Sequence, residues 1–516
     1  MQEQIFLAGA PAAPTTRFGV LRLLDLPHLA FAVLFFWLLF RTELNDFDYF
    51  WHLKAGEYIA AHLALPSGDP FSYTFQGKPW AVHEWLFEVG LYGVFALLGP
   101  TGIKLLTAVL GALSTYIVYR AANRLLAAST LALALAIACL TVQAGGFMPR
   151  PQLVTYVLFA VFVHLLVAFK YFADDRRLWL IPPLLLLWVN MHGGYVIGIV
   201  LLGLFCTCEW FMHWTGHTAA GYRRRLVKLS LITAGGALAT AINPDGIGAW
   251  LFPLRVMNMD VANSVIAEWQ SPNFRDLDGK LYLILAFGFF LANIYRQTKP
   301  DLTEIALPVF FLFAGFVSVR HTPLAMLILV PFVAVALRGG PVQRFYSRVT
   351  GSGKQLGKAE YVLNWVLLCA IGVTFYLLNP TQQANAQARL NALMPVKAVE
   401  FVKSHGITGR MLNEYAQGGY LIYHLYPQQQ VFIDGRADLY GGEFIKEFIT
   451  IRHGALGWDK AFDKYAIDYL IVRRDAPIRD RLLARGDFKL VYDDESSSVL
   501  VRKLPRFEQL AEQKAE

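Results

Sequence analysis

Residues 42–88 read TELNDFDYFWHLKAGEYIAAHLALPSGDPFSYTFQGKPWAVHEWLFE and follow an apolar run at 24–41. Seven acids stand against two lysines in this stretch, and Asp46 and Asp48 come just after the apolar run. The aromatic residues around that acidic pair are Phe47, Tyr49, Phe50 and Trp51. Such a pair can take the proton of an acceptor hydroxyl or hold a divalent cation. It can equally be an acidic helix start within the aromatic belt of a membrane surface, so both interpretations stay open here.

The composition of the whole chain places this stretch in a membrane protein. Of the 516 residues, 56% are hydrophobic and only 16% are charged, and the mean hydropathy is +0.42. Soluble proteins carry about 25% charged residues, and a disordered chain would be far less apolar. The net charge of +8 does not indicate a nucleic-acid partner, because basic residues of membrane proteins collect in cytoplasmic loops.

Apolar runs of about 17–25 residues predict about 11 membrane spans in a polytopic α-helical protein. The runs lie at 24–41, 101–119, 126–143, 152–171, 178–191, 194–212, 227–243, 280–295, 302–319, 322–337 and 361–379. The apolar segment 84–99 is separated from the next run by Gly99-Pro100, so we predict a helix at the membrane surface there. The run at 178–191 is short and carries two prolines, which makes it the weakest of the set.

The positions of Lys and Arg orient these spans. With the N-terminus in the cytoplasm, the turns after the even-numbered spans hold nearly all basic residues of the membrane region, as at 223–228. The opposite side holds isolated polar groups beside aromatic residues and glycines. This arrangement predicts an outward-facing site, with the first outer loop at 42–100 as part of a membrane domain spanning residues 1–379.

Residues 380–516 differ in composition, since 19 Lys and Arg balance 18 Asp and Glu. Helical patterns at 395–405, 442–453 and 457–465 alternate with strand patterns at 409–413, 468–473, 488–492 and 498–502. Alternating helices and strands predict a small α/β domain. Because it follows an odd number of spans, we expect this C-terminal domain to be extracytoplasmic.

Further polar residues on the outer side suit a reaction site. His83-Glu84 can act as an acid/base pair or as metal ligands. Alternatively, the pair only begins a helix, whose dipole favours a carboxylate at that end. Two arginines lie on this side, in Arg150-Pro151-Gln152 and in Arg320-His321. Each can bind a phosphate by bidentate hydrogen bonds or simply extend to the membrane surface. The remaining pocket candidates, which include a break in one span, are His52, Trp51, Asn190, His192, Asn243, Glu268 and Trp269.

These pieces together resemble a bacterial branch of the GT-C glycosyltransferase superfamily. The similar segments are DFDYFWH at 46–52, Gly56-Glu57, DPFSYT at 69–74, PWAVHEWL at 79–86, NMHGG at 190–194 and Glu268-Trp269. The resemblance implies an inverting glycosyltransferase of the bacterial cytoplasmic (inner) membrane. Its donor would be a sugar linked to a polyprenyl phosphate, undecaprenyl phosphate in bacteria, and its acceptor a glycan, lipid or protein beside the membrane lipids.

Roles follow from the resemblance. The catalytic aspartate of the first outer loop would be Asp48 or Asp46, with Asp48 preferred as the general base, and Asp46, His83 and Glu84 would position the acceptor or bind a cation. Arg150, Arg320, His321 and Gln152 bind the donor phosphate. A Mg²⁺ or Mn²⁺ ion at Asp46, Asp48 and Glu84 is optional, because arginine alone can neutralise a leaving phosphate.

The tail resembles, more loosely, the soluble domain of oligosaccharyltransferases. Its Glu414–Tyr420 stretch, EYAQGGY, takes the place of their Trp-Trp-Asp-Tyr-Gly motif but lacks the tryptophan pair and the aspartate. The acceptor-side candidates in this region are Tyr415, Tyr420, Asp434 and Arg436. For the last two, a strand followed by an ordinary Asp-Gly turn is the alternative.

Two other functions compete with single-sugar transfer. A glycan ligase would move a whole glycan to protein or lipid, which the resemblance of the tail favours. A transporter or flippase for lipid-linked sugars would need polar residues deep within several spans, where the sequence has mainly Glu209.

Overall fold

The computed structural model describes residues 26–41, 46–251, 267–349 and 358–512. The chain divides into two compact units. We call Met1–Thr42, Lys104–Trp250 and Ala267–Asn379 the helical unit, and Glu43–Ile103, Leu251–Ile266 and Pro380–Glu516 the loop–tail unit. The predicted boundary after residue 379 coincides with a unit boundary. The first outer loop, which we expected within the membrane domain, instead clusters with the C-terminal residues.

Each of the predicted spans overlaps a helix. In chain order, the helices up to residue 393 are α1 (Leu26–Arg41), α2 (Tyr49–His62), α3 (Trp85–Leu126), α4 (Ser129–Gln143), α5 (Gln152–Phe172), α6 (Ile181–Val189), α7 (Tyr195–Trp214), α8 (Tyr222–Ala239), α9 (Leu277–Ile294), α10 (Leu302–Val317), α11 (Thr322–Leu337), α12 (Pro341–Val349) and α13 (Lys358–Leu393). In the described part of the chain, 6 helices are long and apolar enough to cross a membrane. The chain is therefore a multi-pass membrane protein, while the total of about 11 spans stays a prediction.

Two predicted irregularities coincide with changes in the helices. Inside α3, Gly99 has φ 60° and ψ −153°, so the backbone leaves the helical conformation at the predicted separation. Glycine tolerates this positive φ, and Pro100 has no N–H to donate. The weak span at 178–191 contains a 3-10 turn at Leu178–Leu180 and then the short α6. Its two prolines stand in the first turn of α6, where no N–H is needed.

The core of the helical unit includes α5 and α11, whose side chains are mostly buried. Glu209 of α7 is 1% exposed, and its carboxylate accepts hydrogen bonds from Thr303 Oγ1 at 2.6 Å and Tyr222 Oη at 2.5 Å. It also pairs with Lys170, which in turn pairs with Asp301 at 2.8 Å. The acid that the sequence places inside a span is thus fully bonded within the helical core.

The loop–tail unit contains the helices and strands that the tail sequence predicts. Its elements after residue 393 are α14 (Val396–Ser404), β1 (Met411–Asn413), α15 (Gly418–Leu425), α16 (Ala437–His453), α17 (Trp458–Lys464), β2 (Tyr469–Arg473), α18 (Pro477–Arg485), β3 (Phe488–Asp493), β4 (Ser497–Arg502) and α19 (Glu508–Glu512). The sheet order is β1-β2-β4-β3, with β1 and β2 parallel and the other neighbours antiparallel. The sequence did not predict α15, α18 and α19.

The first outer loop is joined to the tail inside the loop–tail unit. Ser72 and Val431 form a parallel bridge, in which Val431 N donates to Phe71 O at 3.0 Å and Tyr73 N donates to Val431 O at 3.1 Å. Helix α2 packs against α15, where the rings of Phe50 and Tyr420 lie 5.1 Å apart. The loop therefore completes the fold of the residues that follow position 379.

Candidate functional site

The acidic pair of the first loop lies in the turn that leads into α2. A Cβ placed on Gly435 would be 2.4 Å from Asp48 Oδ1, so the Asp48 carboxylate lies directly against the Gly435 backbone. The Asp48 N–H donates to Asp46 Oδ1 at 3.2 Å. Asp46 is 7% exposed, whereas Asp48 is half-buried. Asp46 thus holds the turn, and Asp48 is the more accessible of the two carboxylates.

A cavity of about 510 Å³ lies in the loop–tail unit beside this turn, and Phe47, the neighbour of Asp48, forms part of its wall. The predicted acceptor-side residue Tyr415 also lines the cavity, and its hydroxyl donates to Gly435 O at 3.2 Å. Tyr415, a residue of the cavity wall, and the Asp48 carboxylate therefore both contact the Gly435 backbone.

Two buried acceptor atoms belong to residues of the cavity wall. Glu414 pairs with Arg452 through Oε2 at 2.5 Å, but its Oε1 has no hydrogen-bond partner among the described residues. The side-chain oxygen of Gln417 has none there either. Both oxygens are buried within the wall, and the surface that the cavity presents is mainly apolar, as is typical of binding pockets for small molecules.

The other acceptor-side candidates lie elsewhere. Asp434 and Arg436 are 0% and 1% exposed, so they belong to the core instead of a groove surface. Arg436 donates to Asp434 Oδ2 at 2.6 Å and to Asp69 Oδ1 at 2.8 Å, and it stacks 4.6 Å from the Trp80 ring. Burial alone would lower the pKa of Arg436, but Asp434 and Asp69 raise it well above its usual value. Tyr420 is also buried, against α2.

A second acidic cluster lies where α2 meets the start of α3. His52 Nδ1 is 3.3 Å from Glu88 Oε1 and 3.8 Å from Glu84 Oε2. His83 Nε2 approaches Glu84 Oε1 at 3.6 Å, and the rings of Trp51 and His52 lie 3.6 Å apart at a tilt of 31°. Among the described residues, Glu84 is grouped with His52 and Glu88 as potential metal ligands, and the cation site at Asp46, Asp48 and Glu84 stays a prediction.

In the helical unit, one of the two predicted phosphate arginines is already paired. Arg150 Nη1 donates to Glu268 Oε1 at 3.0 Å, and both side chains are partly exposed. Gln152 begins α5, two residues after this arginine. The pair brings together two residues that the sequence assigned separately to the phosphate and the pocket, and it neutralises the charge of Arg150.

Arg320 is different, because no carboxylate lies within ion-pair distance of it among the described residues. Trp188 Nε1 donates to Thr155 Oγ1 at 2.8 Å, and the Thr155 hydroxyl and the Gly194 N–H approach His192 Nδ1 at 2.7 and 3.1 Å. His192 Nε2 in turn lies 3.4 Å from Arg320 Nη2, where it accepts a hydrogen bond when the ring proton is on Nδ1.

The neighbours of Arg320 hold it beside an aromatic ring. Its guanidinium lies 5.3 Å from the centre of the Trp269 ring, and the following residue, His321, has a buried Nδ1 without a hydrogen-bond partner in the described chain. A cation that is oriented by a ring and unpaired with a carboxylate is suited to bind an anion.

Two predicted pocket residues satisfy backbone groups. Asn190 Nδ2 donates to Leu186 O at 2.9 Å and Ile242 O at 3.0 Å at the end of α6. Asn243 Nδ2 donates to Thr240 O at 2.7 Å and Gly246 O at 2.8 Å. Their side-chain nitrogens are therefore used in holding turns.

Sequence reasoning missed several residues of these sites. Glu88, Gly435, Glu414 and Gln417 were quoted without a role, and Asp69 only as part of a motif. Glu84 and Glu88 are four residues apart at a helix start, a spacing that places both carboxylates on one face. That signal was available in the sequence, whereas the contact of Gly435 with Asp48 was not.

Comparisons with protein-family models and with curated proteins gave no match. Solved structures did match. An oligosaccharyltransferase from Archaeoglobus fulgidus in the apo form gives a TM-score of 0.54 at 12% identity, covering 86% of this chain and 69% of that one. ArnT from Cupriavidus metallidurans, bound to undecaprenyl phosphate, gives 0.50 at 15% identity, covering 94% and 99%.

A third match is the oligosaccharyltransferase AglB from Archaeoglobus fulgidus in complex with an inhibitory peptide and a dolichol-phosphate. Its TM-score is 0.51 at 10% identity, covering 83% of this chain and 65% of that one. At these identities the likeness concerns the fold. The predicted resemblance is confirmed at that level: the chain shares its fold with ArnT and AglB, which are members of the GT-C superfamily.

Proposed function

We propose that this chain is an integral-membrane glycosyltransferase that moves a sugar from a polyprenyl-phosphate-linked donor to an acceptor hydroxyl. The observation that carries the proposal is the position of Asp48: a half-buried carboxylate at the start of α2, against Gly435 and beside the cavity, in a chain of GT-C fold. The polyprenyl phosphates bound to ArnT and AglB indicate the class of donor.

Asp48 serves as the general base in this proposal. It takes the proton of the acceptor hydroxyl as the oxygen attacks the anomeric carbon, and the bond between that carbon and the phosphate oxygen breaks with inversion. A carboxylate at hydrogen-bond distance can contribute about 10²–10⁴-fold to such a step. Asp46, which receives the Asp48 N–H, keeps the base in place.

The leaving group becomes a lipid monophosphate, whose growing charge needs a cation. Arg320 suits this role, because its guanidinium has no carboxylate partner in the described chain and is oriented by Trp269. His321 and Gln152 stay in the proposed phosphate site. Arg150 can bind the phosphate only if it releases Glu268, so we assign Arg150 the smaller contribution to phosphate binding.

The acceptor occupies the cavity in this proposal. Tyr415 supplies an aromatic surface for it. A volume of about 510 Å³ lies within the usual range for small-molecule sites.

Transfer of a whole glycan is the second candidate, and the likeness to oligosaccharyltransferases favours it. A transporter is less favoured, because Glu209 is held by Lys170, Tyr222 and Thr303. We further propose the bacterial inner membrane as the location, with the N-terminus in the cytoplasm and the C-terminal residues outside it.

The proposal is tested by mass spectrometry of glycans, lipids and proteins from cells with and without the gene. A product that is one sugar heavier in the cells with the gene supports the first candidate, and a product heavier by a whole glycan supports the second. Identical products, together with sugar-lipid movement in proteoliposomes, would establish transport instead.

A further inference from the structure

His52, Glu84 and Glu88 form a compact group of potential metal ligands. One ring nitrogen and two carboxylate oxygens lie within 4.8 Å of one another. Glu88 N donates to Glu84 O at 3.0 Å, so the two acids are one helical turn apart and present their carboxylates on the same side. His52 faces them from α2.

A glycine sets the approach of the two helices. Gly56 stands one turn after His52 in α2, and a Cβ there would be 2.1 Å from Glu88 O. Only a residue without a side chain lets the two backbones come this close. The contact holds His52 over the Glu88 carboxylate.

One acceptor atom of this cluster is buried without a donor. His52 and Glu88 are 3% and 1% exposed, and Glu88 Oε2 has no hydrogen-bond partner in the described part of the chain. Arg436, whose charge acts on Glu88, donates its hydrogen bonds to Asp434 and Asp69. A buried carboxylate oxygen without a donor costs about 1–3 kcal/mol or more.

We infer that His52, Glu84 and Glu88 bind a divalent transition-metal ion, with Zn²⁺ as the ion of best fit. Tetrahedral Zn²⁺ with bonds of about 2.0–2.1 Å needs ligand atoms about 3.3 Å apart. The separations from His52 Nδ1, at 3.3 and 3.8 Å, are close to this value. Mg²⁺ fits less well, because it prefers oxygen ligands in an octahedron.

Three protein ligands leave a fourth position for water or a ligand oxygen. The side chain of Glu84 is 13% exposed, which gives the ion a route from solvent. This set shares only Glu84 with the optional cation site at Asp46, Asp48 and Glu84. Because His52 follows Asp48 by one turn of α2, an ion bound here would fix the start of that helix.

The inference does not depend on glycosyl transfer, since metal binding is measured directly. The full chain is purified in detergent without a polyhistidine tag, stripped with a chelator and titrated with Zn²⁺, Mn²⁺ or Mg²⁺. We expect one zinc ion per chain, measured by elemental mass spectrometry, and a rise in melting temperature on adding zinc. Glu88→Gln should weaken zinc binding on the order of 100-fold, since even residues that only support ligands contribute 10–100-fold.

Glu57→Gln is the matched control, because Glu57 is on the same helix but 40% exposed and paired with Lys54. It should bind zinc like the wild type. If Glu88→Gln does not fold, His52→Gln gives the same comparison. Wild-type protein that takes up no zinc and gains no thermal stability from it would overturn the inference, and so would Glu88→Gln with wild-type affinity.

Discussion

Arg436 and Arg320 were both expected to face a substrate, yet the structure gives them opposite surroundings. Arg436 is 1% exposed and bonded to Asp434 and Asp69 between aromatic rings. Arg320 is half-buried, lies beside the ring of Trp269 and has no carboxylate partner in the described chain. Loss of an arginine that is saturated by buried carboxylates destabilises a fold, whereas an arginine that is held in place without a carboxylate is available to an anion.

The largest effect should come from Arg436→Met. Removing the guanidinium leaves Asp434 and Asp69 buried without their cation, which costs about 3–5 kcal/mol in such pairs. Thermal unfolding in detergent, followed by tryptophan fluorescence, measures the loss. The matched control is Lys446→Met, whose ion pair with Glu443 is exposed and should change the stability by less than about 1 kcal/mol. Wild-type stability in Arg436→Met, with impaired substrate binding, would reverse the comparison.

Arg320→Ala should leave the fold intact and lower the affinity for the donor phosphate. Charge-assisted hydrogen bonds contribute about 1.5–3 kcal/mol, so we expect undecaprenyl phosphate to bind about 10- to 100-fold more weakly. Native mass spectrometry of the purified protein measures this affinity.

Arg150→Ala is the companion variant and should lose less, because Glu268 already neutralises that arginine. Glu268→Gln should bind the lipid phosphate as well as or better than the wild type. A larger loss in Arg150→Ala than in Arg320→Ala would show that the assignment of the two arginines is the wrong way round.

Gly435→Ala tests whether the position of the Asp48 carboxylate matters for transfer, because it leaves the charge of Asp48 unchanged. Its new Cβ would lie 2.4 Å from Asp48 Oδ1, so the carboxylate or the loop must move. A misplacement of about 1 Å can cost on the order of 100-fold in rate, while overpacking costs about 1–3 kcal/mol in stability. The control is Gly93→Ala, where a Cβ meets nothing within 4 Å. Undiminished transfer by Gly435→Ala would argue against a role for this contact.

The smallest effect concerns the pH dependence of the packing between α2 and α15. Burial, aided by Lys403 and Lys54, lowers the pKa of His424 from 6.5 to about 4. Between these values the unfolded chain binds more protons, so this contribution to stability is complete above about pH 6.5 and is lost as the pH falls toward 4. Melting temperatures across this range should fall less steeply for His424→Gln than for the wild type, and equal slopes would contradict the assignment.

The sequence predicted the elements well where one periodic pattern decides them. The apolar runs became helices, and β2 differs from the predicted strand at 468–473 by a single residue. Helix α15 was missed because two glycines open it, which a local pattern does not associate with a helix. Helix α18 carries a proline in its first turn, a start signal that was present and overlooked.

The sites were less predictable, because their contacts join distant positions. Asp69 and Arg436 are 367 residues apart in the chain, so nothing in either motif indicates that the two are partners. Asp48 was chosen from its place after an apolar run and among aromatic residues, and that choice remains a prediction. The pairing of Arg150 with Glu268 depends on tertiary packing that no spacing in the sequence encodes.

Transfer by Asp48→Asn, compared with wild type and Asp46→Asn, tests the central claim most directly. The assay follows sugar from a synthetic undecaprenyl-phosphate donor to the acceptor found by mass spectrometry, with lipid-phosphate binding and melting temperature measured in parallel. The base assignment predicts that Asp48→Asn loses transfer by about 10²–10⁴-fold while binding and stability stay near wild type. Wild-type transfer in Asp48→Asn would contradict the proposed mechanism.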